Sequence, residues 1–170
     1  MNTERKYAFL MIGYETPDFI KDLHKEIKEN ELYIKDGEYG CVTESHVTLV
    51  PCLDNSVDLN ELKKYLGDLT EYKVVLTDLS KFECEEYDVL KCNVASVKLM
   101  ETNENIKKDF ETYSEYKDHY RPHLTVAYMR KGMADKYLKD TLDKLIILEP
   151  SHFKFSWWDD REEKSKIFEK

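Results

Sequence analysis

A chain of 170 residues with 41% hydrophobic side chains, twelve Tyr and seven Phe can build the core of one compact domain, which excludes wholesale disorder. Its 36% charged residues imply a heavily solvated surface. The formal charge of −9 argues against a protein whose main work is gripping long nucleic acid, because that grip rests on Lys and Arg neutralising many phosphates; a small nucleotide is easier to reconcile with it.

In chain order, the apolar run 7–12 is too short for a signal-peptide core with its cleavage site or for a membrane span. Ended by Gly13, it predicts a first strand over 6–14. Thr16 and Pro17 read as N-cap and first helical position, and Phe19, Ile20, Leu23 and Ile27 carry a helical spacing to about residue 30. Asp36-Gly37 and Tyr39-Gly40 are turn signals before Ser45-His46-Val47-Thr48-Leu49-Val50, a strand that Pro51 is expected to close. Asp58 opens a second helix with Leu59, Leu62 and Leu66 as its stripe, stopped by Gly67.

Strands are expected over 72–82 and 87–97, joined by the hairpin loop Glu83-Cys84-Glu85-Glu86, and a third helix over 100–113. Tyr113, Tyr116 and Tyr120 lead to Arg121-Pro122-His123-Leu124-Thr125-Val126-Ala127-Tyr128. A fourth helix over 133–145 and a closing hairpin, 151–157 with 164–168 across Asp159-Asp160, complete the order. Mixed strands and helices on this scale predict one α+β domain over 1–170, roughly duplicated, with mainly antiparallel sheets and helices outside. Cys41, Cys52, Cys84 and Cys92 have no CxxC spacing and read as reduced thiols in a cytosol.

The repeated element is His-x-Thr, once per half. On an extended strand residues i and i+2 share a face, so His46 stands beside Thr48 and His123 beside Thr125, while Val47, Leu49, Leu124 and Val126 turn the other way. Two such strands facing one cleft would supply a general base, a general acid and two hydroxyl donors around one phosphate. The scheme asks for no metal and no cofactor, and no HExxH, acidic ligand cluster or phosphate-cradling Gly-rich loop is present. Two distant histidines can also bind zinc, but the paired threonines would then be unexplained.

Other candidates are more open. Glu44 shares the face of His46 and either orients the imidazole or is a solvated strand end; Arg121 shares the face of His123 and is either a phosphate contact or a surface residue. Tyr14, Tyr39 and Trp157 are candidates for stacking on a base, with core packing the alternative. His24, His119 and His152 lack a companion Thr and read as surface or packing residues.

Through Tyr39-Gly40, Glu44 to Leu49, Glu85 to Lys91 and Pro122 to Tyr128, most of the chain resembles the 2H phosphoesterases of the LigT-like fold, and within them a phage-associated branch similar to the anti-CBASS nucleases. Ser45 departs from the Pro often found there. The resemblance implies a bilobal, pseudo-twofold fold lining a central cleft, with His46, Thr48, His123 and Thr125 as the catalytic set. It further implies a cytoplasmic phosphodiesterase acting on a small nucleotide, a cyclic di- or trinucleotide messenger of bacterial immunity. RNA ends, 2′,3′-cyclic phosphates and cyclic ADP-ribose isomers are alternative substrates, and a non-catalytic nucleotide sponge is the alternative class.

Overall fold

The computed structural model describes residues 6–113 and 119–169; Tyr116 lies outside them. Strand β1 (Tyr7–Tyr14) buries Ala8, Leu10 and Ile12 at alternate positions, and helix α1 (Asp18–Glu26) follows with Ile20 and Leu23 inward. Pro17, not Thr16, is its N-cap; the Thr16 hydroxyl donates to the Thr43 carbonyl (3.2 Å) and meets the Ser45 hydroxyl (2.9 Å), tying the helix start to the loop before His46. The helix ends four residues short of expectation because Glu31 is pulled inward to the Tyr137 hydroxyl (2.6 Å) and Lys136. Strands β2 (Ile34–Lys35) and β3 (Glu38–Tyr39) form a hairpin over Asp36-Gly37, both at positive φ as a type I′ turn requires.

Strand β4 (His46–Asp54) does not stop at Pro51 as expected. Its register against β1 shifts between Ala8 and Leu10, and Cys52 takes φ 53°, so the missing proline N–H falls at a bulge and the strand continues. Helix α2 (Leu59–Lys63) is capped by Asp58, which accepts from the Asn60 N–H at 2.8 Å.

The expected strand over 72–82 is two, β5 (Val74–Leu76) and β6 (Ser80–Glu83), because Asp78 bonds both the backbone and the side chain of Asn93. Strand β7 (Tyr87–Ala95) then leads into helix α3 (Val97–Asp109), which starts earlier than expected because Ser96 caps it. After β8 (His123–Arg130) the expected helix over 133–145 reduces to one 310 turn, Asp135–Tyr137. Lys139 there exchanges two backbone hydrogen bonds with Leu79, so sheet-like pairing has displaced the helix. Strands β9 (Ile146–Leu148), β10 (Pro150–Asp159) and β11 (Glu162–Phe168) close the chain, the last two as the expected hairpin.

Among the described residues these strands form one antiparallel nine-stranded sheet in the order β11-β10-β1-β4-β8-β7-β5-β9, with β6 also on β7. The two halves meet at β4 and β8, which pair at Val47 and Leu124. Helix α3, which follows β7, packs behind β4, whereas α1, which follows β1, packs behind β8. Each half thus covers the other's motif strand, an approximate twofold that leaves the opposite face of both strands open. The fold is the expected α+β arrangement, mainly antiparallel with helices on the outside.

Candidate active site

Val47 and Leu124 are opposite one another and fully buried, so their neighbours on both strands turn to the other face. Extending that antiparallel pair by one residue each way puts His46 opposite Thr125 and Thr48 opposite His123. The two histidines lie on the diagonal, where side chains stand roughly 7–8 Å apart, a gap that one phosphate held between two ring nitrogens can span.

The register of the flanking strands continues the pattern. One row reads His152, Gly13, His46, Thr125, Lys91 across β10, β1, β4, β8 and β7; the next reads Lys154, Met11, Thr48, His123, Asn93. Neither row carries a carboxylate, although the whole chain has formal charge −9. This strip of a predominantly acidic protein can accept an anion.

Both imidazoles are held the same way. His46 Nδ1 lies 3.0 Å from the Glu44 carbonyl and His123 Nδ1 2.9 Å from that of Arg121. A carbonyl only accepts, so each Nδ1 carries a proton and each Nε2 is left for the cleft. The preceding residues are fixed alike: Tyr14 N–H donates to the Ser45 carbonyl (2.9 Å) and Val94 N–H to that of Pro122 (3.1 Å). Behind the sheet, His24 Nε2 donates to the Val126 carbonyl (2.9 Å) and Asn103 Nδ2 to the Leu49 carbonyl (2.8 Å). Each bond comes from a helix and lands three residues after a motif histidine. His24 is therefore the packing residue expected, with a defined task.

The two lobes differ in electrostatics. Burial holds His123 below the usual histidine range, and the nearby Lys91 ammonium and His46 add to this against the hydrogen bond to the Arg121 carbonyl. Lys91 is 5% exposed, its ammonium donating to Ser80 Oγ (2.7 Å) and Asn93 Oδ1 (2.8 Å) and lying 4.5 Å from the Phe82 ring centre. Phe82 in turn meets the His123 ring edge-on at 4.9 Å. Burial lowers the affinity of Lys91 itself for its proton. Sequence reading passed over this residue, although a lysine inside the apolar stretch Val89-Leu90-Lys91-Cys92 was a visible signal.

The remaining candidates are placed variously. Glu44 and Arg121 orient the imidazoles through their carbonyls; the Glu44 carboxylate is 91% exposed and 4.0 Å from Lys154, and the Arg121 side chain borders a shallow pocket with His119 and Lys107. Tyr14 is buried and donates its hydroxyl to the Tyr72 carbonyl (2.7 Å), so it borders the cleft with part of its surface. Trp157 stacks on Phe155, a core residue, on the sheet face away from the two rows. Tyr39 is 43% exposed, sits at φ 72° and packs against Tyr33, Tyr87 and Tyr128 beyond Thr125.

His152, expected as a packing or surface residue, lines a pocket of about 520 Å³ beside His46. All four cysteines are free thiols. Among the described residues no group of three or more His, Cys, Asp and Glu is placed to hold a metal ion, and no helix is long and apolar enough to cross a membrane.

No protein-family model and no curated protein matches this sequence. Solved structures do resemble it. Usb1 of Kluyveromyces marxianus superposes with a TM-score of 0.50 at 8% identity, covering 95% of this chain and 97% of its own. TT0787 of Thermus thermophilus gives 0.48 at 12% identity, with 95% of each chain covered. What the likeness to Usb1 establishes is the fold, the LigT-like α+β arrangement.

Proposed function

We propose that this protein is a phosphodiesterase that opens the 3′-5′ bonds of small nucleotides, with cyclic di- or trinucleotides of bacterial immune signalling as its substrates. One observation carries the reading: Val47 pairs with Leu124, which carried on by one residue each way faces each imidazole with the other motif's threonine, and both Nδ1 atoms are occupied by carbonyls. A phosphate centred on that diagonal has a ring nitrogen on either side and a hydroxyl at each remaining corner.

His123, the imidazole kept short of protons, is the base; His46 is the acid. His123 Nε2 takes the proton of a ribose 2′-OH or of water as that oxygen bonds to phosphorus. The bond to the 5′-oxygen then breaks, and His46 Nε2–H hands its proton to the departing oxygen. Charge building on the non-bridging oxygens meets the Thr48 and Thr125 hydroxyls, with the Lys91 ammonium nearby. Base, acid and donors are all supplied by the chain, so the step needs neither metal nor cofactor. Attack by water leaves a 3′-phosphate; attack by the 2′-OH gives a 2′,3′-cyclic phosphate, which reaches the same product when water then bonds to phosphorus and the 2′-oxygen leaves with a proton.

The cationic strip and the size of the pocket support a compact polyanion, since pockets of roughly 300–1,000 Å³ hold small ligands. The messenger assignment and a cytoplasmic setting in a bacterial host rest on the motif resemblance. Incubation with cyclic di- and trinucleotides in EDTA, with products resolved by chromatography, tests the reading. Cleavage is expected. Preference for RNA ending in a 2′,3′-cyclic phosphate overturns the substrate choice, and ligand bound but returned intact overturns the catalytic reading.

A further inference from the structure

We infer that the pocket beside His46 is a second phosphate subsite, in which His152 and Lys154 hold the phosphate one nucleotide away from the bond being cleaved. This rests on the phosphodiesterase reading above and extends it from one phosphate to two.

The sheet register sets the spacing. His46, Gly13 and His152 stand in one row on adjacent strands, so His152 is two strand spacings, roughly 10 Å, from His46. The residue between them has no side chain, and one would displace the imidazole: a Cβ on Gly13 would lie 2.9 Å from His152 Nδ1 and closer still to Cε1 and Nε2. The imidazole therefore leans over β1 toward His46 in the space that glycine vacates.

His152 is also oriented, not merely packed. The Ser151 hydroxyl donates to the Gly13 carbonyl (3.1 Å), which leaves its oxygen to accept from His152 Nδ1 (2.7 Å). The proton is thereby fixed on Nδ1 and Nε2 is freed. A surface histidine needs no such relay, and His46 and His123 are tied through the same atom.

Charge points the same way. Lys154 lies in the adjoining row of the face, and its ammonium meets the exposed Glu44 carboxylate at 4.0 Å, a distance at which the pair is weak enough to yield to a phosphate. The rest of the pocket includes Met11, Val42 and Ile167, apolar surface suited to a sugar or base edge. A ligand with a single phosphate at the histidine diagonal would leave this pocket unfilled, whereas a cyclic dinucleotide has a second phosphate to place there.

The test measures binding and turnover separately. His123→Ala protein is titrated by calorimetry with a cyclic dinucleotide, which has two phosphates, and with the matching dinucleoside monophosphate, which has one. The two-phosphate ligand is expected to bind at least tenfold tighter. That advantage should fall to within about twofold when His152→Gln or Lys154→Gln is added. Lys154→Gln changes a side chain outside the core, so it reads the subsite even where His152→Gln disturbs the sheet. Equal affinities at the start, or an advantage that survives both substitutions, overturns the subsite. Wild-type turnover of the same ligands separates the two ideas. Cleavage without the advantage removes the subsite and keeps the enzyme; the advantage without cleavage keeps the subsite and removes the enzyme.

Discussion

Replacing Lys91 with Met removes one positive charge from the second lobe while keeping the length of the chain. The ammonium lies 4.5 Å from the Phe82 ring centre, itself 4.9 Å from that of His123, so it is no more than about 9.4 Å from the imidazole. A unit charge at that distance in an effective dielectric of about 20 contributes about 1.8 kcal/mol toward a phosphate seated there, close to 20-fold in rate. Water reaching the cleft reduces this, and we expect kcat/KM to fall about 5- to 20-fold. The pH profile must move as well. Lys91 helps hold His123 below its ordinary range, so its removal raises the proton affinity of His123, and the acidic limb of the profile shifts to higher pH. Because the variant also relieves a buried ammonium, its urea midpoint should not fall greatly, which separates an electrostatic loss from unfolding. Steady-state kinetics from pH 5 to 9 on any substrate that the wild type cleaves make the measurement. An unchanged rate with an unmoved acidic limb in a folded variant would refute the reasoning.

Thr48→Val and Thr125→Val keep shape and remove a donor, so each should lower kcat by about 100-fold with little change in KM, as single-turnover rates would show. Asn103→Ala leaves the buried Leu49 carbonyl without its helix donor, and thermal unfolding should record a loss of about 1–3 kcal/mol. His123 contributes a pH dependence of known sign. With its folded value below the unfolded ~6.5, the unfolded chain binds more protons in that window, so stability is fully present above ~6.5 and declines as pH falls through the lowered value. In His123→Gln, urea midpoints between pH 7 and 5 should fall less than in the wild type.

Much of the site could be read before any fold was known, because a strand's period of two needs no tertiary information. His46 with Thr48 and His123 with Thr125 were bound to share faces once Val47 and Leu124 were seen as apolar partners. What local pattern does not carry is which strands become neighbours. The row from His152 to Lys91 is assembled from β10, β1, β4, β8 and β7, so His152 looked solitary and Lys91 was not singled out. Pro51 misled because the chain has a bulge at Cys52 to absorb it. The stretch 133–145 does have apolar residues at helical spacing, but Gly132 takes φ 79° and Lys139 finds Leu79; Leu138 and Leu145 are left exposed. Long-range pairing outweighed local propensity there. Glu44 and Arg121 were singled out for their side chains and act on the histidines through their carbonyls, a role that any residue at those positions can fill.

The claim beneath all of this is that two imidazoles from separate lobes address one phosphate. A crystal structure with a non-cleavable cyclic dinucleotide analogue, its leaving 5′-oxygens replaced by methylene groups, tests it most directly. The account predicts His46 Nε2 and His123 Nε2 on opposite sides of a single phosphate, each within about 2.6–3.2 Å of one of its oxygens or of the attacking position. A ligand that engages one histidine alone, or sets the two on different phosphates, would contradict it.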